Sequence, residues 1–423
     1  MEVEKNIEIN NMEPPITQPE NVSGVTKRKI SIPLLVLGIS LVIILVLSFA
    51  IYFLIGKKSQ GKTEGEASYV ASGANKSGDL ATTEKSLEEA LKNDPNDPKL
   101  LAAIITSIAN EGNLLGREGE AFEKGKPYAD NALKVAPQNE DVLIAVGFLY
   151  EIGGDYQAAL SYYEKALVIN PKNANGLFHK GHVLEFLNRS VESMNAYIAA
   201  YEIDKENPLV LMALGKMALN QGKIDDAVTF YKTASAVPDV TAYEKAEALT
   251  NAAIIRRSQM LYMDEAIGLA QQAVDAYPSY SPALATLGFA QGINGKMVEG
   301  VENMKKAIAA NPRISQNYWY LGMLLRSVKV YDEALKYQKE GFIKLDQDNT
   351  LVGNVLRAQV KAAMAYDLAK TTYLSGSTAG VIEYLKTALE FDPTLKTQLK
   401  DDIAKYNQFV SIANTAEMQA LIK

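Results

Sequence analysis

Residues 141–171 read DVLIAVGFLYEIGGDYQAALSYYEKALVINP, two apolar helical stripes separated by a polar break at residues 153–155. Gly147, Ala159 and Pro171 mark a pattern here that returns every 34 residues, with a slip of five residues near the middle of the chain. Later copies keep the same residue types at Gly181, Gly215, Ala227, Gly288, Pro312, Gly322 and, in a last copy, Pro393. Such a fixed period predicts an array of repeats that bury their apolar faces against one another.

The recurring residues have a physical role in a pair of helices. Gly and Ala let two helices approach closely, and Pro lacks a backbone N–H and therefore ends a helix. Polar turns, such as the one at residues 220–223, separate the two helices of a pair. The spacing predicts seven helix–turn–helix units, at residues 140–173, 174–207, 208–241, 247–280, 281–314, 315–348 and 362–395.

Each unit resembles a tetratricopeptide repeat (TPR). That family has small residues at positions 8, 20 and 27 and a proline at position 32, where the first unit has Gly147, Ala159, Ala166 and Pro171. The resemblance implies an all-α superhelical solenoid over residues 140–395. The departures from the pattern are Lys205 and Asp346 in place of proline, Ile254 and Ala369 in place of glycine, and Gly300 and Gly341 in place of alanine.

Both ends of the array are expected to be degenerate, because terminal units must cover exposed faces. Residues 80–139 predict degenerate TPR-like helices. They comprise a lone second helix from Glu84 to Pro95, then an eighth unit stretched by an insertion around Leu114–Gly125. Residues 396–423 carry one apolar stripe and predict a capping helix or helix pair.

An uncharged run of 26 residues extends from Ile30 to Ile55. Crossing a bilayer takes about 20 apolar residues, so residues 30–56 predict one N-terminal transmembrane helix. Ser48–Ala50 loosely resembles a signal-peptide cleavage site, but the apolar run continues beyond it to Ile55. An uncleaved signal anchor is therefore favoured over a cleaved signal peptide.

Polar segments flank this run. Residues 1–29 predict a disordered tail, and the Gly- and Ser-rich residues 57–79 predict a flexible linker. Basic residues lie on both sides, so the positive-inside rule is a weak guide, but the cluster at residues 27–29 favours an inside N-terminus. We expect a single-pass protein of a bacterial-type plasma membrane, in contact with the bilayer through residues 30–55 and with its repeats outside the cytoplasm.

The resemblance also implies a partner-binding groove, because TPR proteins line their concave side with the first helix of each unit. The corresponding residues are Ile144, Phe148, Phe178, His182, Phe186, Met212, Lys216, Ile255, Phe289, Trp319 and Met323. Aromatic residues and Met dominate binding hot spots, and an exposed stripe of them is unusual unless something covers it. We expect a helical or extended apolar segment of a partner protein there. The alternative is that these residues only pack against the adjacent helix.

Two settings fit such a groove. The first is a membrane-anchored scaffold for assembly of a cell-envelope or secretion complex. The alternative is a cytoplasm-facing import or chaperone receptor, whose TPR domain grips an acidic C-terminus with Lys, Asn and Arg side chains. Ile144, Phe178 and Ala213 stand where such polar groups would be expected, so the receptor is disfavoured.

Residues 56–63, GKKSQGKT, match the phosphate-binding pattern G-x-x-x-x-G-K-[ST]. That pattern works between an entering strand and a leaving helix, whose backbone N–H groups hold the phosphates. Here it follows the predicted transmembrane helix, and no β–α–β alternation comes after it. A P-loop NTPase is therefore disfavoured.

Composition narrows the remaining chemistry. A net charge of −7 argues against nucleic acid, and the absence of Cys excludes thiolate chemistry. His179 and His182 lie three residues apart, with Glu185 three further on, a spacing that could present metal ligands. Without Cys or a further His, a metal site would need Asp or Glu from another unit, so ordinary packing of the two histidines is favoured. We expect no enzymatic activity, cofactor, metal or small-molecule substrate.

Overall fold

The computed structural model describes residues 77–115, 117–348, 354–406 and 408–423. Over these residues the fold is all-α, and they contain no strand. The helices are α1 Ser77–Asn93, α2 Pro98–Leu115, α3 Glu118–Val135, α4 Glu140–Ile152, α5 Tyr156–Ile169, α6 Ala174–Phe186, α7 Ser190–Ile203, α8 Pro208–Asn220, α9 Ile224–Ala236, α10 Ala242–Ser258, α11 Met263–Ala276, α12 Ser281–Ile293, α13 Met297–Ala310, α14 Ser315–Ser327, α15 Tyr331–Lys344, α16 Asn354–Leu374, α17 Val381–Phe391, α18 Leu395–Ala404 and α19 Ala416–Ile422.

Several N-terminal predictions concern residues outside these ranges. They are the tail at 1–29, the transmembrane helix at 30–56, the P-loop-like residues 56–63 and most of the linker at 57–79. The last three linker residues, 77–79, belong to α1. Among the helices that the structure describes, none is both long and apolar enough to cross a bilayer.

The helices stack in sequence order. From α4 to α17 they form seven pairs, in which we call the first member helix A and the second helix B. Each helix packs against the helices before and after it, and most A helices also contact the next A helix. The A helices are α4, α6, α8, α10, α12, α14 and α16.

The starts of the first four A helices repeat chemically as well as in spacing. Asn139, Asn173 and Asn207 cap α4, α6 and α8, and each side-chain oxygen accepts a hydrogen bond from a backbone N–H of the first turn. Thr241, 34 residues after Asn207, caps α10 in a reciprocal capping box with Glu244. The fourth A helix therefore begins in phase at residue 242, not at 247 as expected. The extra residues lengthen α10 to 17 residues instead.

Small residues bring the helices of a pair together. A Cβ added to Gly147 would lie 2.7 Å from the ring of Tyr163 on helix B, and one added to Gly288 would lie 2.7 Å from the carbonyl oxygen of Gly300. In the fifth unit the helix backbones themselves are thus in contact. The predicted role of the repeated small residues is confirmed at both positions.

The ends of the array differ in detail from the sequence-based expectation. Helix α1 begins at Ser77 rather than Glu84, and the insertion around residues 114–125 lengthens α2 and α3 to 18 residues each. The last A helix begins at Asn354, not at residue 362. Residues 396–423 hold most of α18 and all of α19, which pack against α17 and bury Phe409.

Candidate partner-binding face

Successive A helices meet along one layer, which we call the A-face: the side chains of the seven A helices that contact the neighbouring A helix. Aromatic contacts cross from unit to unit there. The ring of Phe148 lies 5.2 Å from that of His179, and Phe289 stacks on Tyr320 at 4.6 Å. Three clusters with buried charges lie on the A-face, centred on Glu151, Arg257 and Asp367.

The structure corrects one expectation about the eleven groove residues, namely that they form a solvent-facing stripe. Nine of them are buried, while Phe186 and Lys216 are half-buried. Their side chains pack against the neighbouring helices, which lie close together because of the repeated small residues. Their role in partner binding remains a prediction. The buried residues are Ile144, Phe148, Phe178, His182, Met212, Ile255, Phe289, Trp319 and Met323.

The first cluster joins units one and two around Glu151, near the end of α4. Its Oε2 accepts a hydrogen bond from the Tyr163 hydroxyl at 2.5 Å and lies 3.1 Å from Nδ1 of His179. Its Oε1 lies 2.5 Å from Nδ1 of His182 on the same helix as His179. The carboxylate is thus surrounded by three polar partners from two helices beside its own.

Two opposing effects set the pKa of Glu151. Burial alone would raise the pKa of this carboxyl, but the charges and hydrogen bonds of His179 and His182 outweigh it and hold the pKa well below its ordinary value. Burial and the nearby carboxylate raise the pKa of the Tyr163 hydroxyl well above its ordinary value. The cluster therefore holds an ionised carboxylate in the interior and links two units.

The three candidate metal ligands, His179, His182 and Glu185, do not converge on one point. His179 and His182 both face Glu151, whereas Glu185 pairs with Lys216, whose Nζ lies 3.3 Å from its Oε2. No group of three His, Asp or Glu residues within the described ranges is arranged to hold a metal ion. The carboxylate partner of the histidines precedes them by a whole helix–turn–helix step, which their local spacing could not reveal.

The second cluster surrounds Arg257, at the end of α10. Its guanidinium lies 5.2 Å from the ring centroid of Phe289 on α12 and 5.8 Å from that of Tyr320 on α14. Trp319 in turn stacks on Tyr320 at 5.5 Å. Burial lowers the pKa of Arg257, and the charge and hydrogen bonding of the Tyr320 side chain oppose that shift. The Nε of this guanidinium is buried without a hydrogen-bond partner.

The third cluster joins units six and seven around Asp367. The indole Nε1 of Trp319 donates to its Oδ2 at 2.6 Å, and Arg326 donates to its Oδ1 at 2.8 Å. One turn later, Lys370 pairs with Asp402 of the C-terminal cap at 2.9 Å. The predicted groove residue Trp319 is thus fixed by a hydrogen bond as well as by packing.

Sequence reasoning missed Glu151, Arg257, Tyr320 and Asp367 as members of the A-face, because it selected mainly apolar residues. Little in the sequence marks Arg257, since the corresponding positions of other units carry Tyr150, Leu184 and Leu325 but also the polar Gln291 and Thr372.

Comparison with known proteins supports the repeat type. Residues 140–173 match the tetratricopeptide repeat family model. The crystal structure of the APC/C hetero-tetramer Cut9–Hcn1 has a similar fold, with a TM-score of 0.52 at 13% identity over 67% of this chain and 52% of that one. Yeast Tom70 gives a TM-score of 0.46 at 16% identity, over 84% of this chain and 72% of that one. One unit of the chain thus matches the tetratricopeptide repeat model, and the described part of the chain has the fold of an all-α helical repeat solenoid.

Sequence relatives cover a smaller part. Two relatives are 27% and 26% identical to this chain over 155 residues. They are the probable UDP-N-acetylglucosamine–peptide N-acetylglucosaminyltransferases SPINDLY of Solanum lycopersicum and Petunia hybrida, respectively. The match includes 37% of this chain but spans only 15% of the length of those relatives. The activity in their names is therefore not transferred, and the expected lack of enzymatic activity remains a prediction.

Proposed function

We propose that this chain is a membrane-anchored TPR-type scaffold that holds a segment of a partner protein along its A-face. The observation that carries the proposal is a row of partly exposed apolar residues at the ends of four of the seven A helices, of which the other three end in Asn220, Ser258 and Ser327. Ile152, Phe186 and Ile293 end α4, α6 and α12 and are half-buried, and Leu374, at the end of α16, is 42% exposed.

This row differs from the other apolar residues at the surface. Val168 and Ile169 on α5 are 82% and 46% exposed and Val298 on α13 is 78% exposed, but these residues belong to helix B of their units. Phe186 instead contacts the ring of His182. Ile152 and Ile293 pack against the buried clusters that contain Phe148 and Phe289. An apolar segment laid across them would extend an existing core, which is the usual way an amphipathic segment docks in a groove.

Membrane attachment belongs to the proposal on the strength of the sequence. The uncharged run from Ile30 to Ile55 supports the anchor, and the basic residues before it support an inside N-terminus. Assembly of a cell-envelope or secretion complex is the setting we propose. A reporter fused after Lys423 should be active only outside the cytoplasm, whereas a cytoplasmic signal would support the receptor alternative.

Site-specific crosslinking tests the binding face. Photoreactive benzoylphenylalanine would replace Phe186 or Ile293 in the full-length chain in its native membranes, with Val168 and Val298 replaced as controls. We expect the same partner protein to be captured from Phe186 and Ile293 and not from the two valines. Capture from the valines alone, or from none of the four positions, would reject the A-face as the binding surface.

A further inference from the structure

Arg257 occupies an unusual place in the array. Arg257 belongs to α10, yet its guanidinium contacts Phe289 on α12, the next A helix, and Tyr320 on α14, the A helix after that. Both rings lie near the guanidinium because Tyr320 of α14 stacks on Phe289 of α12. The stacked rings of Phe289, Tyr320 and Trp319 form a flat shelf beneath it, and the half-buried Tyr320 marks its open edge.

The positive charge of Arg257 lacks a carboxylate partner among the described residues. Other long cations of the A-face are paired, Arg326 with Asp367 and Lys216 with Glu185. Arg257 is only 7% exposed, so water compensates little of its charge. Attraction to a ring face is weaker than the interactions with water that a buried guanidinium loses. A buried charge ordinarily requires a counter-ion, which an incoming ligand can supply.

We propose that Arg257 binds a carboxylate of the partner segment, so that the A-face recognises an acidic group set among apolar residues. This proposal rests on the proposed function, because it names the chemistry of the segment that the A-face holds. Charge complementarity identifies the occupant. The fork of guanidinium N–H groups matches two carboxylate oxygens, and the aromatic shelf receives the apolar side chains beside the acid.

The carboxylate is that of an internal Asp or Glu, because the aromatic shelf receives apolar side chains beside the acid. Two arrays of synthetic twelve-residue peptides separate this acid from the C-terminus of a partner, one array with free C-termini and one attached through them. The purified full-length chain would be applied to both. We expect both arrays to bind peptides enriched in an internal acid flanked by apolar residues, whereas binding to free C-termini alone would contradict an internal acid.

The affinity of the best peptide then tests Arg257 itself. Replacing the peptide's acid by its amide should weaken binding to the unmodified chain about tenfold or more, and this comparison needs no protein variant. Arg257→Met should weaken binding of the acidic peptide to a similar extent and bind the amide peptide no worse than the unmodified chain does. Arg313→Met is the control, since Arg313 is exposed in the turn between α13 and α14.

Three outcomes would overturn the proposal. Bound peptides without enrichment in acids, or equal affinity for acid and amide, would reject the carboxylate while leaving the scaffold function standing. An unchanged affinity in a folded Arg257→Met chain would assign the acid to another cation. Failure of every peptide to bind, together with failure of the crosslinking at Phe186 and Ile293, would reject the proposed function as well.

Discussion

Units one and two and units four to six bury charges on the same face in opposite ways. Between the first two units, Glu151 is enclosed by Tyr163, His179 and His182, so that its carboxylate oxygens are satisfied within the chain. Between the later units, Arg257 lies on aromatic rings and has no carboxylate partner in the described part of the chain. The first arrangement is complete and holds two units together, and the second is complete only with an anion from outside.

The contrast shows that burial on the A-face does not by itself identify a binding site. A buried charge that is fully paired is part of the scaffold, and removing one partner strands the others. A buried charge without a counter-ion is expensive in the free protein and favourable in a complex that supplies one. Four predictions test whether the two regions differ in this way, from the largest expected effect to the smallest.

Replacing Glu151 by Ala should lower the free energy of unfolding by about 3 kcal/mol, because Tyr163 and two histidines lose their common partner in the interior. Denaturant unfolding monitored by circular dichroism measures this. Glu164→Ala is the matched control, since Glu164 forms an exposed pair with Lys180 and its loss should cost about 0.5 kcal/mol or less. Equal effects of the two substitutions would show that the Glu151 cluster does not link the units.

Gly288→Ala should lower the free energy of unfolding by about 2 kcal/mol, because the added Cβ would meet the backbone of Gly300 beneath the aromatic shelf. Gly268 offers a control within a neighbouring helix, where an added Cβ meets nothing within 4 Å. Gly268→Ala should raise stability by about 0.5–1 kcal/mol. A loss at both positions, or at neither, would contradict the close contact in the fifth unit.

The Glu151 cluster should also make stability depend on pH. The folded chain holds the pKa of Glu151 below its ordinary value of 4.5, so its contribution is complete above that pH and is lost as pH falls toward the folded-state pKa. The stability difference between the unmodified chain and Glu151→Gln should therefore shrink below pH 4.5, by up to about 1.4 kcal/mol per pH unit. Unfolding curves at several pH values measure it, and a constant difference would contradict an ionised Glu151.

Arg257→Met should raise the free energy of unfolding of the free protein by about 1 kcal/mol, because it removes a desolvated charge and keeps a long apolar chain over the rings. This change in the free energy of unfolding has the opposite sign to that expected for Glu151→Ala, so the two variants distinguish the two regions most clearly. Thermal unfolding of the two variants side by side measures it. A clear loss of stability in Arg257→Met would show that the chain itself compensates the guanidinium.

Features that depend on packing within one helical pair could be predicted from the sequence, whereas pairings between units could not. The role of Gly147 and Gly288 was predictable because a small residue at a fixed repeat position ordinarily allows close contact between the two helices of a pair. The exposure of the groove residues was misjudged because their cover comes from the next A helix. Glu151 finds its histidines in the following unit, and Asp367 finds Trp319 in the preceding one. These pairs are 31 and 48 residues apart along the chain, so no local sequence pattern marks them.

The most direct test of the account measures the affinity of the acidic peptide for two variants of the full-length chain, Arg257→Met and Glu151→Gln. If units four to six hold the partner's carboxylate and units one and two only hold the scaffold, Arg257→Met should lose affinity about tenfold or more. Glu151→Gln should retain affinity under conditions in which it stays folded. Retained affinity in Arg257→Met, with a loss in folded Glu151→Gln, would contradict the account.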